Sequence, residues 1–501
     1  MIFICFNLLG LDSPQLAAKA KCKIHHDPPI RLRRGDSLNF ILQIIYRGVS
    51  QPLVIKTAEV LSEDNLNLIA VNIGFKRRLS KITPKIFFEN LVHNASSNLP
   101  LSLNSLSVEI GQAFGVNVAR QSLSERFSEK SVSFLKEILS QLSFSRNTAV
   151  ENGWLELFNS VRIKDSTKFV LPEEYASIMP GFGGVSSKSA ACIQFEYDLK
   201  TGTILDLNIT PGNRPDAKDA VETKDNVTAN DLFIRDLGYF STDVIANFIE
   251  NKAYVISKLN TKSLVYEMIE DDYALLDFEK LYNWMDKHDI KQVEKQVYIG
   301  ITTKLPVRII IETVPEEVYI QRIRKANKSN SQRGYKMTDQ HKIRSKFNLI
   351  ITNIAIETIP KMAISALYHM RWQIELVFKI WKSTFGIHKI GKMKYHRWLS
   401  QLYAKLILIA IYWQSIMASR SDIYQRKGKL LSMDKCFKTL RIYTYKLIQA
   451  ITEGKEALLR LEVWMNSIIS ENHWLERKKN KLSFEQIMYI EYCKSGIYVY
   501  I

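Results

Sequence analysis

Leu367-Tyr-His-Met-Arg-Trp-Gln-Ile-Glu-Leu-Val-Phe-Lys379 lies within a run, from about Lys361 to Phe385, that reads as one amphipathic helix. At about 100° per residue, with Tyr368 as zero, Arg371 falls at about 300°, Glu375 at about 340° and Lys382 at about 320°. The four polar side chains therefore share an arc of about 60°. Leu367, Met370, Ile374, Val377, Phe378 and Trp381 form the adjacent apolar stripe. One face packs on a core while its edge presents a phenol, two cations and a single carboxylate. A plain surface helix also alternates charge, but this grouping suits a site shared by a metal and phosphates.

The segments upstream read as strands. Ser160-Val-Arg-Ile163 is a short alternating strand leading to Asp165. Ala190 to Tyr197 and Thr203 to Ile209 flank the turn Asp198-Leu-Lys-Thr-Gly202 and form a hairpin. Asp231-Leu-Phe-Ile234 ends at Asp236, a helix runs from Ser241 to Asn251, and Ala253-Tyr-Val-Ile-Ser257 is the next strand. This order predicts an α/β fold with a mixed sheet flanked by helices. Between residues 261 and 350, strand-like runs at Gln296 to Ile301, Val307 to Thr313 and Val318 to Ile323 accompany one helix near Phe278 to His288. Arg322 to Lys346 holds nine Lys and Arg against one acid, Asp339, and reads either as a solvated loop or as a DNA-facing arm. Phe347 to Thr352 is one more strand, after which the chain is strongly helical.

Residues 1–35 have an irregular start, and 36–150 are mostly helical. Within Ser105 to Phe127 a break at Gly115 separates two periodic runs, a helix-turn-helix candidate that puts Arg120 and Arg126 on its second helix. The expected organisation is a helical, DNA-binding region over 1–150, a catalytic core over 151–260 and 351–415, a β-rich insertion over 261–350 and a helical region over 416–501.

The net charge of +18 favours a polyanionic partner, and double-stranded DNA leads because phosphate neutralisation releases counterions. Five scattered cysteines without a CxxC pair suggest neither a zinc site nor a disulfide framework, which fits the cytoplasm. The apolar run Leu402 to Trp413 is short, carries Lys405 and reads as a buried helix.

The spacing Tyr368-x-x-Arg371-x-x-x-Glu375-x-x-x-x-x-x-Lys382 resembles the Tyr-Arg-Glu-Lys motif of the bacterial insertion-sequence DDE transposases of family four. Phe347-Asn-Leu-Ile-Ile-Thr-Asn353 is similar to that family as well. Asp165-Ser-Thr167 resembles its first acidic block and Asp236-Leu-Gly-Tyr-Phe240 its second, with Leu237 where many members carry Arg. The likeness spans about residues 150 to 415, with a weaker echo around Gly74 to Phe88.

The resemblance implies an RNase H-like catalytic core with a β-rich insertion, and cleavage and strand transfer at the ends of a mobile element. It implies Asp165, Asp236 and Glu375 as catalytic, metal-holding carboxylates, with Asp165 bridging two divalent ions. Magnesium suits such hard oxygen donors, and manganese can substitute. Two ions serve the attacking and the leaving oxygen together. Tyr368, Arg371 and Lys382 are then phosphate-binding residues. Further candidates for DNA contact are Arg120, Arg126, Arg322, Arg324, Lys325 and Lys328, with Trp284 as a base-stacking candidate. Terminal inverted repeats and target DNA are the implied partners, engaged by a homodimer in a nucleoid-associated synaptic complex. A hairpin intermediate is one route open to the family. Two other readings remain at this stage: a metal-dependent nuclease or resolvase on the same core, and a catalytically dead DNA-binding derivative. Taken singly, Asp165 and Asp236 are ordinary turn or cap residues.

Overall fold

The computed structural model describes residues 51–99, 102–143, 153–183, 187–260, 262–331, 334–427 and 429–476; the readings made for residues 1–35 fall outside them. Helices α1 (Gln51–Val60), α2 (Glu63–Ile73), α3 (Pro84–Ala95), α4 (Leu103–Phe114), α5 (Arg120–Arg126) and α6 (Glu129–Ser143) come first. Their starts follow capping chemistry: Ser62 accepts from Asn65 N, Thr83 accepts from Ile86 N, and Pro84 occupies the first turn of α3. α4 ends at Gly115 with φ 65°, a left-handed turn that glycine adopts without a Cβ penalty. The helix–turn–helix path is therefore present, although α5 has only seven residues.

The sheet begins with β1 (Val161–Val170), β2 (Pro180–Gly183), β3 (Ser187–Asp198) and β4 (Ile204–Pro211). Helix α7 (Asp216–Glu222), strand β5 (Leu232–Arg235), helix α8 (Thr242–Glu250) and strand β6 (Tyr254–Lys258) follow. β3 runs antiparallel to both β4 and β1; β1, β5 and β6 are parallel. The spatial order β4-β3-β1-β5-β6, with a helical crossover between the last two strands, is an RNase H-like core.

The insertion contributes β7 (Val265–Ile269), β8 (Asp272–Leu275), α9 (Phe278–Lys287), β9 (Gln292–Ile299), β10 (Leu305–Thr313), α10 (Glu316–Ser331) and α11 (Asp339–Arg344). It is continuous with the core, because β11 (Phe347–Thr352) pairs antiparallel with both β10 and β6. One sheet thus runs on through β11, β10, β9, β7 and β8. α12 (Lys361–His369) and α13 (Trp372–Phe385) lead into α14 (Tyr395–Lys427), α15 (Met433–Ile442), α16 (Thr444–Glu453) and α17 (Lys455–Asn472).

Strand alternation divides the apolar side chains between two cores. Ile163, Leu232, Ile234 and Ile350 face the N- and C-terminal helices. Phe233, Val255, Leu349 and Ile351 face α8 and α9. α14 has the length and apolarity of a membrane span, but its hydrophobic stretch is buried against α3, α6 and α17, as expected of a core helix.

Three local expectations are corrected. Val318 to Ile323 is part of helix α10, not a strand; Glu316 and Glu317 occupy its first turn, where they suit the helix dipole. The basic stretch from Arg322 is largely helical, in α10 and α11, and not a loop. Asp165 does not follow its strand but sits in the middle of it, paired with Phe195, because β3 is long enough to carry the ladder on to Val170.

Candidate active site

Register brings the two aspartates level. Ile163 of β1 pairs with Ile234 of β5, and both side chains enter the same core. Two residues further along each chain, Asp165 and Asp236 return to that same face at one height. Asp165 is held by the ladder to β3, whereas Asp236 is the first residue beyond β5 and remains extended (φ −84°, ψ 169°).

The helical side of the site comes from α12 and α13. The single helix expected from 361 to 385 is broken at Met370 and Arg371. Arg371 N donates to Tyr368 O and Ile374 N to Arg371 O, the tighter three-residue spacing of a 3₁₀ turn. This joint keeps Tyr368, Arg371 and Glu375 on one edge above the sheet. The Arg371 guanidinium is the hub. Its Nη1 donates to Asp165 Oδ2 at 2.8 Å, its Nη2 donates to Glu375 Oε1 at 2.6 Å, and its Nε lies 3.8 Å from Asp236 Oδ1. The Tyr368 hydroxyl donates to Asp236 Oδ1 at 3.0 Å. Three carboxylates far apart in the chain thus meet around one cation.

Burial pushes the Asp165 carboxyl up to about 6, and the neighbouring Asp236 and Glu375 charges add to the rise. The Ser166 amide and Arg371 pull the other way without cancelling it. Burial opposes the charged form of Arg371, but Asp236, Tyr368, Glu375 and Asp165 together hold its pKa above the usual arginine range. Burial, helped by Asp236, raises the Tyr368 phenol and keeps it a donor. The donor chemistry suits a hard divalent cation: all three acids offer carboxylate oxygens, and Asp236 (38%) and Glu375 (39%) are more open than Asp165 (18%). With Arg371 between them, no three His, Cys, Asp or Glu side chains among the described residues close around a common point.

Behind the sheet, the residue preceding each aspartate is also fixed. Lys164 and Arg235 point to the opposite face and converge on Glu196 of β3. Arg235 Nη2 donates to Glu196 Oε1 at 2.8 Å, and Lys164 Nζ lies 3.8 Å from Glu196 Oε2. Arg162 Nε adds a third interaction at 2.8 Å. Lys164 also pairs with Asp219 at 2.6 Å and Asp206 at 2.8 Å. Burial opposes the Glu196 charge, but Arg235, Arg162 and Lys164 outweigh it and hold the carboxyl at about 2. Sequence reading missed this network. Its signal is a charged residue at the strand position immediately before each aspartate, which alternation sends into the interior.

The other candidates divide. Lys382 lines the same cleft as Asp165 and Glu375, and its Nζ donates to Lys168 O at 3.2 Å. Arg126 does not stand free at the surface: it donates to Ile82 O and packs over the Phe75 ring at 5.3 Å. Arg322 is similarly engaged, with Ser345 O at 3.1 Å, Phe347 O at 2.8 Å and Asn348 Oδ1. Arg120, Arg324, Lys325 and Lys328 are exposed. Trp284 is half exposed on α9, tilted against His288, and does not line the cleft. Lys258, which sequence reading passed over, ends β6 and lies 5.5 Å from the Tyr368 ring.

Comparison with known proteins identifies the family. A family described as "Transposase DDE domain" matches residues 156–411. The transposase for insertion sequence element IS231E of Bacillus thuringiensis subsp. finitimus is 29% identical over 412 residues, covering 79% of this chain and 86% of the relative. That for IS1151 of Clostridium perfringens is 29% identical over 434 residues, covering 83% and 91%. Among solved structures, the piggyBac transposase synaptic complex with hairpin DNA aligns over 88% of this chain and 87% of that one, at 12% identity and a TM-score of 0.40, too loose to align side chains.

Proposed function

The chain belongs to the transposase DDE-domain family, and from that premise we propose that Asp165, Asp236 and Glu375 are the carboxylates with which it cuts and rejoins DNA at the ends of an insertion sequence. It is a DNA transposase, and its family is dependent on divalent metal. The observation carrying the residue assignment is the convergence of Asp165, Asp236 and Glu375 on the Arg371 guanidinium. Unrelated surface acids have no reason to meet there.

In this reading the level pair Asp165 and Asp236 would hold divalent ions together with Glu375. When bound, the ions, two magnesium or manganese in their place, supply Lewis-acid stabilisation of the attacking and leaving oxygens. The chain's own groups do the rest. Tyr368 steadies Asp236 through its hydroxyl, and Lys382 offers its ammonium at the cleft wall. Arg371, a two-pronged donor matched to carboxylate and phosphate alike, orients the acids and receives the scissile strand's phosphate. Water attacks the phosphodiester at the element's end: the new oxygen–phosphorus bond forms, the bond to the 3′ oxygen breaks, and that oxygen leaves as a hydroxyl. The freed 3′-hydroxyl then attacks a second phosphodiester, on the opposite strand to make a hairpin or on target DNA to join: its oxygen bonds to that phosphorus, its proton leaves to water, and the attacked strand's own 3′ oxygen departs as a hydroxyl. Residues 1–150 serve DNA binding, 151–260 and 351–415 the catalytic core, 261–350 the insertion and 416–501 a C-terminal region whose described helices end at Asn472. Two copies act together on paired terminal repeats.

The test uses Asp165→Asn and Glu375→Gln in the full chain, with a duplex carrying the inverted repeats that bracket the gene. Cleavage should disappear while binding in a gel shift persists, because phosphate contacts elsewhere supply affinity. Retained cleavage by either variant removes the metal-site assignment.

A further inference from the structure

The cleft does not end at the acids. It is an open groove of about 690 Å³ lined by Asp165 and Glu375 together with Lys379, Lys382, His388 and Lys389. Two features of the chain build this wall. On α13, Lys379 lies about 40° and Lys382 about 20° around the axis from Glu375, so all three share one edge. They rise ~6 Å and ~10 Å beyond the glutamate. The helix then stops at Gly386 (φ 58°), where an added Cβ would lie 2.7 Å from Asn98 O; only glycine makes this turn without displacing that backbone. Lys389 N donates to Gly386 O at 2.9 Å, and the reversed chain delivers His388 and Lys389 to the same groove.

Lys379, His388 and Lys389 are exposed. Among the described residues, no carboxylate pairs with the Lys379, Lys382 or Lys389 ammonium. The crowding is felt electrostatically: burial lowers the His388 pKa, and Lys382, Lys389 and Lys405 depress it further. Uncompensated positive charge therefore runs away from the acids along one wall. Each strand of a duplex sets a phosphate every ~3.4 Å along its axis, so the ~10 Å of helix from Glu375 to Lys382 spans about three phosphates, and Lys379 and Lys382, ~4.5 Å apart along it, can meet neighbouring ones.

The geometry points to Lys379 and Lys389 as a phosphate track that grips the backbone of the DNA strand as it leaves the cleavage point. This rests on the transposase reading of the acidic end. The track extends the grip of Lys382 by two cations outside the Tyr-Arg-Glu-Lys spacing, on the helix that carries Glu375. Strand position and metal site are thereby referenced to one rigid element.

The experiment measures affinity of the full chain for a blunt random-sequence duplex in EDTA, by fluorescence anisotropy, across a salt series. Lys379→Ala/Lys389→Ala should lower the slope of log affinity against log salt by about 1.8, since each phosphate left unneutralised removes about 0.9. Lys379→Arg/Lys389→Arg should retain the slope, since charge is what the track supplies. Melting temperatures of both variants check that the fold is intact. An unchanged slope in a folded alanine variant, beside a steep wild-type slope, overturns the track and leaves the transposase reading standing. A wild-type chain with no salt-dependent DNA binding removes that reading itself. Pyrophosphate displacing the duplex from wild type but not from the alanine variant supports the track. Equal displacement from both counts against it.

Discussion

If Arg371 is the counter-ion of the three carboxylates, removing it should destabilise the metal-free protein and make a divalent ion more stabilising. Its side chain is 10% exposed and makes charge-assisted hydrogen bonds of 2.8 Å to Asp165 and 2.6 Å to Glu375. Breaking a fully buried pair costs ~3–5 kcal/mol because a charge is left uncompensated. An exposed pair contributes ~0.2–1 kcal/mol. Asp165 lies toward the buried limit, whereas Glu375, at 39% exposed, is screened by solvent. Arg371→Ala should therefore cost ~2–3 kcal/mol, between those limits. At ~2–4 °C per kcal/mol for a domain of moderate size, Tm in EDTA should fall by at least ~4 °C. Adding magnesium should then raise Tm more in the variant than in wild type: the wild-type acids must exchange an existing cation for the ion, and the variant's acids have none to give up. Differential scanning fluorimetry in EDTA and across a magnesium series reads both quantities. Single-turnover cleavage by Arg371→Lys, which keeps charge but loses the two-pronged fork, should drop well beyond its Tm loss. Equal Tm for Arg371→Ala and wild type in EDTA, with equal magnesium shifts, would refute the counter-ion role.

Glu196→Gln leaves Lys164, Arg162 and Arg235 without their shared carboxylate and should cost about 3 kcal/mol in urea unfolding. If Glu196 also keeps the two aspartates level, magnesium affinity measured by calorimetry should weaken as well; unaltered affinity would make its role purely structural. Burial raises Glu462 to about 7, although Ser415 Oγ donates to it at 2.8 Å. Its folded pKa lies above the unfolded value of 4.5, so its contribution is fully present below pH 4.5 and is lost as pH rises through about 7. Glu462→Gln should accordingly be more stable than wild type at pH 8, by up to ~3 kcal/mol, with most of the gap closed by pH 5; a constant difference across that range would contradict the buried charge. Neutralising Arg324, Lys325 and Lys328 together should flatten the salt slope of DNA binding by on the order of 0.9 per phosphate released if α10 faces DNA. Arg322→Ala should instead lower Tm, since Arg322 is already held by Ser345, Phe347 and Asn348.

Periodicity makes much of the molecule legible in advance. The strand runs of β3 to β6, the turn at Asp198 to Gly202 and the polar edge of Tyr368, Arg371, Glu375 and Lys382 are local properties. Each is carried by side chains within a few residues of one another, so their spacing alone reveals them. Val318 to Ile323 misleads for a related reason: a short apolar run fits helix and strand alike, and only the absence of a pairing neighbour decides.

The amino-acid sequence by itself determined most of the element types, the strand–helix order of the core and the helix edge bearing Glu375. Tertiary structure alone decided which charges are free and which are used. Arg126 and Arg322 look like DNA contacts in a linear reading, yet packing commits them to Ile82, Ser345 and Phe347. Arg371 meets Asp165 across 206 positions, and Lys164 and Arg235 meet on Glu196 through a register that no local pattern records. A charge is neutral about its future partner until the backbone brings one within a few ångströms, because electrostatic pairing depends on distance in space and not along the chain.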